Sequence, residues 1–241
     1  FTQEEARLLD LCLVCHAEHG GGNNSTFTCR SVSSTGTDTY SAIAAAVGSL
    51  KGPKHGGANR QVLAQFSLIK QTVRDWKDDD AVADCVGHIL RRELGDGSGL
   101  IYGMGHAVYT LSDPRTVILR QSARTLAAQR GMLDELELME AVERVTPRVF
   151  AEVTGHEKVM CANVDMYSGL IYQMLDIPPD LFTPLFAVAR ITGWCAHRME
   201  EVLTGGRLYR PAYKSLTRHR EYIPMAARTY RKNPLPAEKR D

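Results

Sequence analysis

Apolar residues recur at intervals of three and four along most of this chain, and that spacing commits it to helices. Val62, Phe66, Ile69, Val73 and Trp76 fall on one helical face. Residues 113–129 open with Asp113-Pro114, a helix-starting pair, and continue through Val117, Ile118 and Leu126. Residues 132–147 repeat the pattern with Leu136, Met139 and Val142 among many glutamates. Pro178 to Leu203 carries Phe182, Phe186, Ala189 and Gly193 on one stripe. Only residues 26–33 alternate as a short strand would. The residues therefore predict an all-α fold, without an internal repeat.

A chain of 241 residues can hold one large domain or two smaller ones with cores of their own. Hydrophobic residues at 44% and charged residues at 24% are ordinary globular usage. A net charge of +1 gives no electrostatic case for nucleic acid or an anionic membrane surface as partner. No apolar run approaches the roughly 18 residues of a membrane span. No basic-then-apolar leader is visible either, so a cytoplasmic location is expected. Cys12, Cys15, Cys29, Cys85, Cys161 and Cys195 are scattered and read as reduced thiols, because a chain of this length needs no disulfide staples. Phe1 runs straight into a helical pattern, as expected of a portion of a longer protein. Lys232 to Asp241 is polar, contains proline and reads as a mobile tail.

Glycines cluster at Gly20–Gly22, Gly52–Gly57 and Gly95–Gly105, and two of these clusters hold a histidine. In Gly52-Pro53-Lys54-His55-Gly56-Gly57-Ala58-Asn59, His55 opens the helix of Val62. A helix N-terminus disfavours the imidazolium, and a neutral ring can donate to a developing oxyanion. The alternative is a turn histidine that caps the helix or faces solvent. In Gly103-Met104-Gly105-His106-Ala107-Val108-Tyr109, followed by Ser112-Asp113-Pro114-Arg115, a histidine and an arginine suit a keto acid. Arginine takes a carboxylate through a forked pair, and histidine polarises the ketone. Arg115 alone would as readily be a solvated first-turn residue. In Ala162-Asn163-Val164-Asp165-Met166-Tyr167-Ser168-Gly169, Asp165 is either a helix cap or a desolvated general base with a raised pKa.

In this order, GPKHGGAN, GMGHAVY…DPR and NVDMYSG closely resemble the three active-site motifs of the citrate synthase family. Cys15-His16-Ala17-Glu18-His19 with Gly22-Asn23 is similar to the family's histidine-rich turn. Phe186 to Gly193 and Tyr209-Arg210-Pro211 look like its two arginine-bearing segments. The resemblance spans roughly residues 10 to 215 and corresponds to about the C-terminal half of a family member.

The resemblance implies the all-α citrate synthase fold, with residues 57–176 as a small mobile domain. Residues 1–56 and 177–241 would be segments of a large domain, the last with its tail. It makes residues 26–33 helical, against their alternation. It implies a citrate synthase, an acyltransferase of the tricarboxylic acid cycle that converts the acyl group to an alkyl group on transfer. Asp165 would remove a proton from the methyl group of acetyl-CoA, His55 would stabilise the enolate, and His106 would polarise the ketone of oxaloacetate. His19, Arg115 and Arg190 would bind oxaloacetate. Arg210 would reach the neighbouring subunit's site in a homodimer. CoA would lie along Gly103, Met104 and Gly105, with Lys158 near a phosphate. No cofactor and no metal is implied, acetyl-CoA being a substrate.

Departures from the family pattern are Thr110 near CoA, Gly20 after His19, and Lys54 beside His55. Propionyl-CoA, the donor of a 2-methylcitrate synthase, is an alternative acyl donor. A non-catalytic helical dimerisation module is an alternative of another class. Cys12-Leu13-Val14-Cys15-His16 spells a haem-attachment pattern, but it continues a helical run. Zinc on Cys12, Cys15, His16 and His19 would crowd four ligands into eight residues. His88, His156, His197 and His219 read as structural or surface residues, and Arg218-His219-Arg220 as a solvated face.

Overall fold

Side-chain caps set where several helices begin. The computed structural model describes residues 1–106, 108–109, 111–214, 216 and 221–228. Thr2 and Glu5 form a reciprocal capping box at the start of α1 (Gln3–Ala17). Two more helices follow, α2 (Asn24–Ser33) and α3 (Thr39–Leu50), the latter capped by the Asp38 side chain. After them come α4 (Ala58–Thr72), α5 (Asp79–Leu90), α6 (Pro114–Gln129) and α7 (Leu133–Thr154). Asp78 caps α5 and Asp113 caps α6, with Pro114 at the first helical position as the sequence predicts. The last are α8 (Asp165–Met174) and α9 (Phe182–Thr204). Among the described residues there is no β-strand, only one antiparallel bridge between Met104 and Ala162.

Residues 26–33 lie within α2, so the helix wins over the alternation. Ser25, Cys29 and Ser33 are its buried face at helical spacing, small enough to let α3 and α9 close in. The face predicted from Val62 holds through Ile69, all buried, but α4 ends at Thr72. Val73 turns extended, and Trp76 folds back from a turn to donate its Nε1–H to the Val73 carbonyl (3.0 Å). The segment predicted over 132–147 runs on to Thr154 through Pro147, because Val149 continues the buried stripe.

The buried residues form two clusters. The larger gathers α4–α8 with Leu8, Cys12 and Cys15 of α1 and Phe182 of α9. At its centre, α8 is buried along most of its length, from Met166 to Tyr172 and again at Met174. The smaller cluster joins α2, α3 and α9 through Cys29, Ala42, Ala46, Leu50, Phe186 and Trp194. Cys12 and Cys15 are buried packing residues of the core.

These helices make up a compact unit over Phe1–Tyr209, and Arg210–Asp241 forms a second. Among the described residues of the second unit, a 3-10 turn spans Met225–Ala227, and Arg228 donates to the Ile223 carbonyl (2.8 Å). Thr110, the Arg218-His219-Arg220 cluster and the Lys232–Asp241 tail lie outside the described residues. No described helix is long and apolar enough to cross a membrane.

Gly103 shows why a glycine-rich loop precedes His106. Its φ is +86°, and a Cβ there would stand 2.7 Å from Met166 Sδ and 3.1 Å from Met166 Cα. Gly103→Ala is therefore expected to lose about 1–3 kcal/mol of stability, read as a lower denaturant midpoint. An unchanged midpoint would contradict this placement.

Candidate active site

Two backbone hydrogen bonds and one from a side chain bring the two central motifs side by side. Gly105 N–H donates to the Cys161 carbonyl, Asn163 N–H to the Gly103 carbonyl (both 2.8 Å), and Asn163 Nδ2 to the Gly105 carbonyl (3.0 Å). The loop of His106 is thereby fixed against the residues that lead into Asp165.

The proton on His106 can be placed from its partners. Its Nδ1 accepts the backbone N–H groups of Val108 and Tyr109, both at 2.9 Å. In the neutral ring the proton is then on Nε2, which lies 2.9 Å from His19 Nε2. His106 thus donates, and His19 accepts. Burial lowers the His106 pKa. Burial lowers that of His19 to about 4, with Arg115 adding to the effect.

His55 sits in the turn between α3 and α4, three residues before α4 begins. Its pKa falls to about 4, chiefly through burial and then through Arg190. Its Nε2 is 3.0 Å from Ser25 Oγ, which also takes the Trp194 Nε1–H (3.3 Å) and lies 3.0 Å from Asn23 Oδ1. Capping is not its role, because α4 has no side-chain cap.

Asp165 is the first residue of α8, and its side chain makes no cap bond. Burial raises its pKa to about 6, against the pull of Arg115 and Arg190. Of the two alternatives for this residue, the surroundings show a desolvated carboxyl and no cap bond.

The arginines differ in setting. Arg115 is partly buried and forks onto Asp113, with Nε 3.0 Å from Oδ1 and Nη2 2.7 Å from Oδ2. It is not a solvated first-turn residue. Arg190 is 1% exposed, donates to the His16 carbonyl (2.5 Å) and to Asn23 Oδ1 (3.2 Å), and lies over the Phe186 ring. Its charge and that of Arg115 reach His19 and Asp165 alike. Both motifs, the histidine turn and His55 therefore share one electrostatic site. Arg210 belongs to the second unit and is exposed there.

Gly103, Met104, Gly105 and Lys158 line one cavity of ≈ 250 Å³ together with Leu90, Tyr102, Phe150 and Asn163. Lys158 is exposed at this cavity. The sequence assigned no role to Ser25 or Asn23, and to Asp113 only that of a helix start. Asn23 and Asp113 lie inside the motifs above, but nothing in their spacing shows that one orders Arg190 and the other Arg115. Trp194 was likewise invisible, because its indole reaches Ser25 only through the α2–α9 packing.

An all-helical framework thus sets three histidines with lowered pKa, one raised carboxyl and two arginines in one electrostatic site. The family described as citrate synthase, C-terminal domain, matches residues 1–212. The chain is 42% identical to citrate synthase of Synechocystis sp. over 92% of its length and 52% of that protein. It is 37% identical to 2-methylcitrate synthase 1 of Corynebacterium glutamicum over 95% of its length and 54% of that protein. The ternary complex of Thermoplasma acidophilum citrate synthase with carboxymethyl coenzyme A and oxaloacetate is similar at TM-score 0.76 and 31% identity. That likeness covers 94% of this chain and 56% of the other. The chain belongs to the citrate synthase family and has its all-α fold. It spans about half the length of the curated relatives it matches.

Neutral histidines carry a measurable consequence. Ring ¹⁵N shifts should show His19 and His55 uncharged down to about pH 4, and midpoints near 6.5 would refute it. The unfolded chain takes up those protons near 6.5, before the folded state does, and buried His16 follows only near 3. Between about 4 and 6.5 the unfolded state binds more protons at His16, His19 and His55. These outnumber the one proton that raised Asp165 keeps in the folded state, so stability should rise with pH across that window. Urea midpoints at pH 4.5 and 7 check the sign.

Proposed function

We propose that the protein condenses acetyl-CoA with oxaloacetate and hydrolyses citryl-CoA to citrate and CoA. The observation that carries this reading is the His106 Nε2–H, held by two backbone donors on Nδ1 and aimed at His19 within reach of the charges of Arg115 and Arg190. A ketone oxygen placed there would meet a fixed neutral donor, with cations beside it for two carboxylates.

Asp165 would take a proton from the thioester methyl group. A thioester α-proton is far less acidic than a carboxylic acid, and a base raised to about 6 narrows that gap. The Ser25 hydroxyl has one proton and two acceptors in reach, Asn23 Oδ1 and His55 Nε2. Given to His55, it leaves the ring proton on Nδ1, free to stabilise the enolate oxygen. The enolate carbon would then attack the oxaloacetate ketone while His106 donates to the new alkoxide, and water would cleave citryl-CoA.

The cavity lined by Gly103, Met104, Gly105 and Lys158 is read as part of the CoA site. Residues 57–176 are read as the small mobile domain against 1–56 and 177–241. The α2–α3–α9 cluster, which lies wholly outside 57–176, supports this, while the larger cluster also takes in α1 residues and Phe182. A homodimer, with Arg210 completing the neighbouring oxaloacetate site, is supported by the exposed stripe Val188, Ile191, Met199 and Val202 on α9. A cytoplasmic location accords with the free cysteines. Propionyl-CoA as acyl donor is the second reading, favoured by the likeness to a 2-methylcitrate synthase.

The full-length protein should release free thiol from acetyl-CoA and oxaloacetate, and Asp165→Ala should lower kcat by at least about a hundredfold. Because the base acts deprotonated, kcat/KM should fall as pH drops through about 6. No thiol release with any acyl-CoA and oxo acid would leave the dimerisation module as the surviving account.

A further inference from the structure

Three residues of α9 at spacings of three and four meet the same short segment. Arg190 Nε donates to the His16 carbonyl, and a Cβ at Gly193 would collide with the Ala17 carbonyl and the Glu18 carboxylate. His197 Nε2 lies 3.0 Å from Glu18 Oε1. Glu18 ends α1 in an extended conformation, and its carboxylate also accepts the backbone N–H groups of His19 and Gly20. Burial pushes the Glu18 carboxyl up, but these bonds outweigh it and the net shift is down. Glu18 thus gathers the turn on which His19 stands.

That turn needs an external anchor. Gly20, Gly21 and Gly22 follow His19, and Gly20 has φ +80°. Three glycines in a row hold no conformation by themselves. Yet the His19 ring must meet the His106 Nε2–H at hydrogen-bond distance.

The state of His197 follows from its other side. Arg30 Nη1 lies 3.4 Å from His197 Nδ1, and Glu200 Oε2 stands farther off at 3.6 Å. A guanidinium only donates, so Nδ1 accepts and the proton is on Nε2, facing Glu18. Arg30 is held in turn by the Tyr209 hydroxyl (3.2 and 3.1 Å), which donates to Glu201 (2.5 Å).

We propose that His197 is a positioning residue of the oxo-acid pocket, acting through Glu18 to hold the turn that presents His19 to His106. Only the identity of the bound oxo acid rests on the reading of function above; the His19–His106 geometry does not. His197 therefore does more than occupy a structural surface position.

The test compares His197→Leu, which cannot donate to Glu18, with His197→Gln, whose amide can. In ligand-free full-length protein, the ring ¹⁵N and ¹H signals of His19 and His106 should shift in the Leu variant and return toward wild type in the Gln variant. With oxaloacetate, the Leu variant should raise KM about tenfold with kcat within about twofold, and Gln should recover most of the loss. Unchanged His19 and His106 signals in the Leu variant would overturn the proposal. So would a shift that Gln fails to reverse while both variants melt at the wild-type temperature. Wild-type protein that binds no oxaloacetate, with the ring signals responding as expected, would sink the functional reading and leave the positioning role standing.

Discussion

The buried guanidinium of Arg190 is the constraint around which the site is arranged. A charge at 1% exposure is tolerated only where fixed acceptors replace water. The chain supplies the His16 carbonyl at the C-terminal end of α1, where the helix dipole favours a cation, and Asn23 Oδ1 just before α2. Phe186, one turn earlier on α9, lies beneath the guanidinium and also packs on His16 and His55. Burial lowers the Arg190 pKa to about 10, which leaves it charged near neutrality. One side chain thus ties together α1, α2 and α9 and sets the field felt by Asp165, His19 and His55.

Close approach of backbones makes those bonds possible. Gly193 lets α9 lie against the end of α1, and Gly169 lets α8 lie against Leu63 and the Asn59 carbonyl of α4. Gly103 admits Met166 beneath the His106 loop. A methyl group at Gly193 or Gly103 would separate elements that carry the histidine turn and the His106 loop. Packing and chemistry are therefore the same requirement here.

Burial and charge push the titratable groups in opposite directions, and the balance decides their states. Water loss alone would raise Asp165 further, but Arg115 and Arg190 hold it near 6. For His19 burial acts together with both arginines, and for His55 with Arg190, so the rings stay neutral. Arg115 in turn has its charge matched by buried Asp113, which fixes its direction. A neutral donor beside a cation is a different reagent from an imidazolium, and only this arrangement of charges distinguishes them.

The sequence by itself determined the helices that carry a strong period: the α4 face through Ile69, the Asp113-Pro114 start of α6, and the Phe182–Gly193 stripe of α9. Their apolar spacing leaves few other ways to bury them. The ordered glycine-histidine and aspartate motifs also marked His55, His106 and Asp165, because each pairs a reactive group with an unusual local backbone. Local pattern failed where long-range packing decided. Residues 26–33 alternate like a strand, yet the small residues of α2 at positions 25, 29 and 33 are what α3 and α9 need for close contact. Tertiary structure alone decided that the His106 Nε2–H meets His19 and that the Ser25 hydroxyl reaches His55. It also joined His197 to Glu18 across the fold. Those facts depend on partners far apart in the chain, and residue order does not encode a distance.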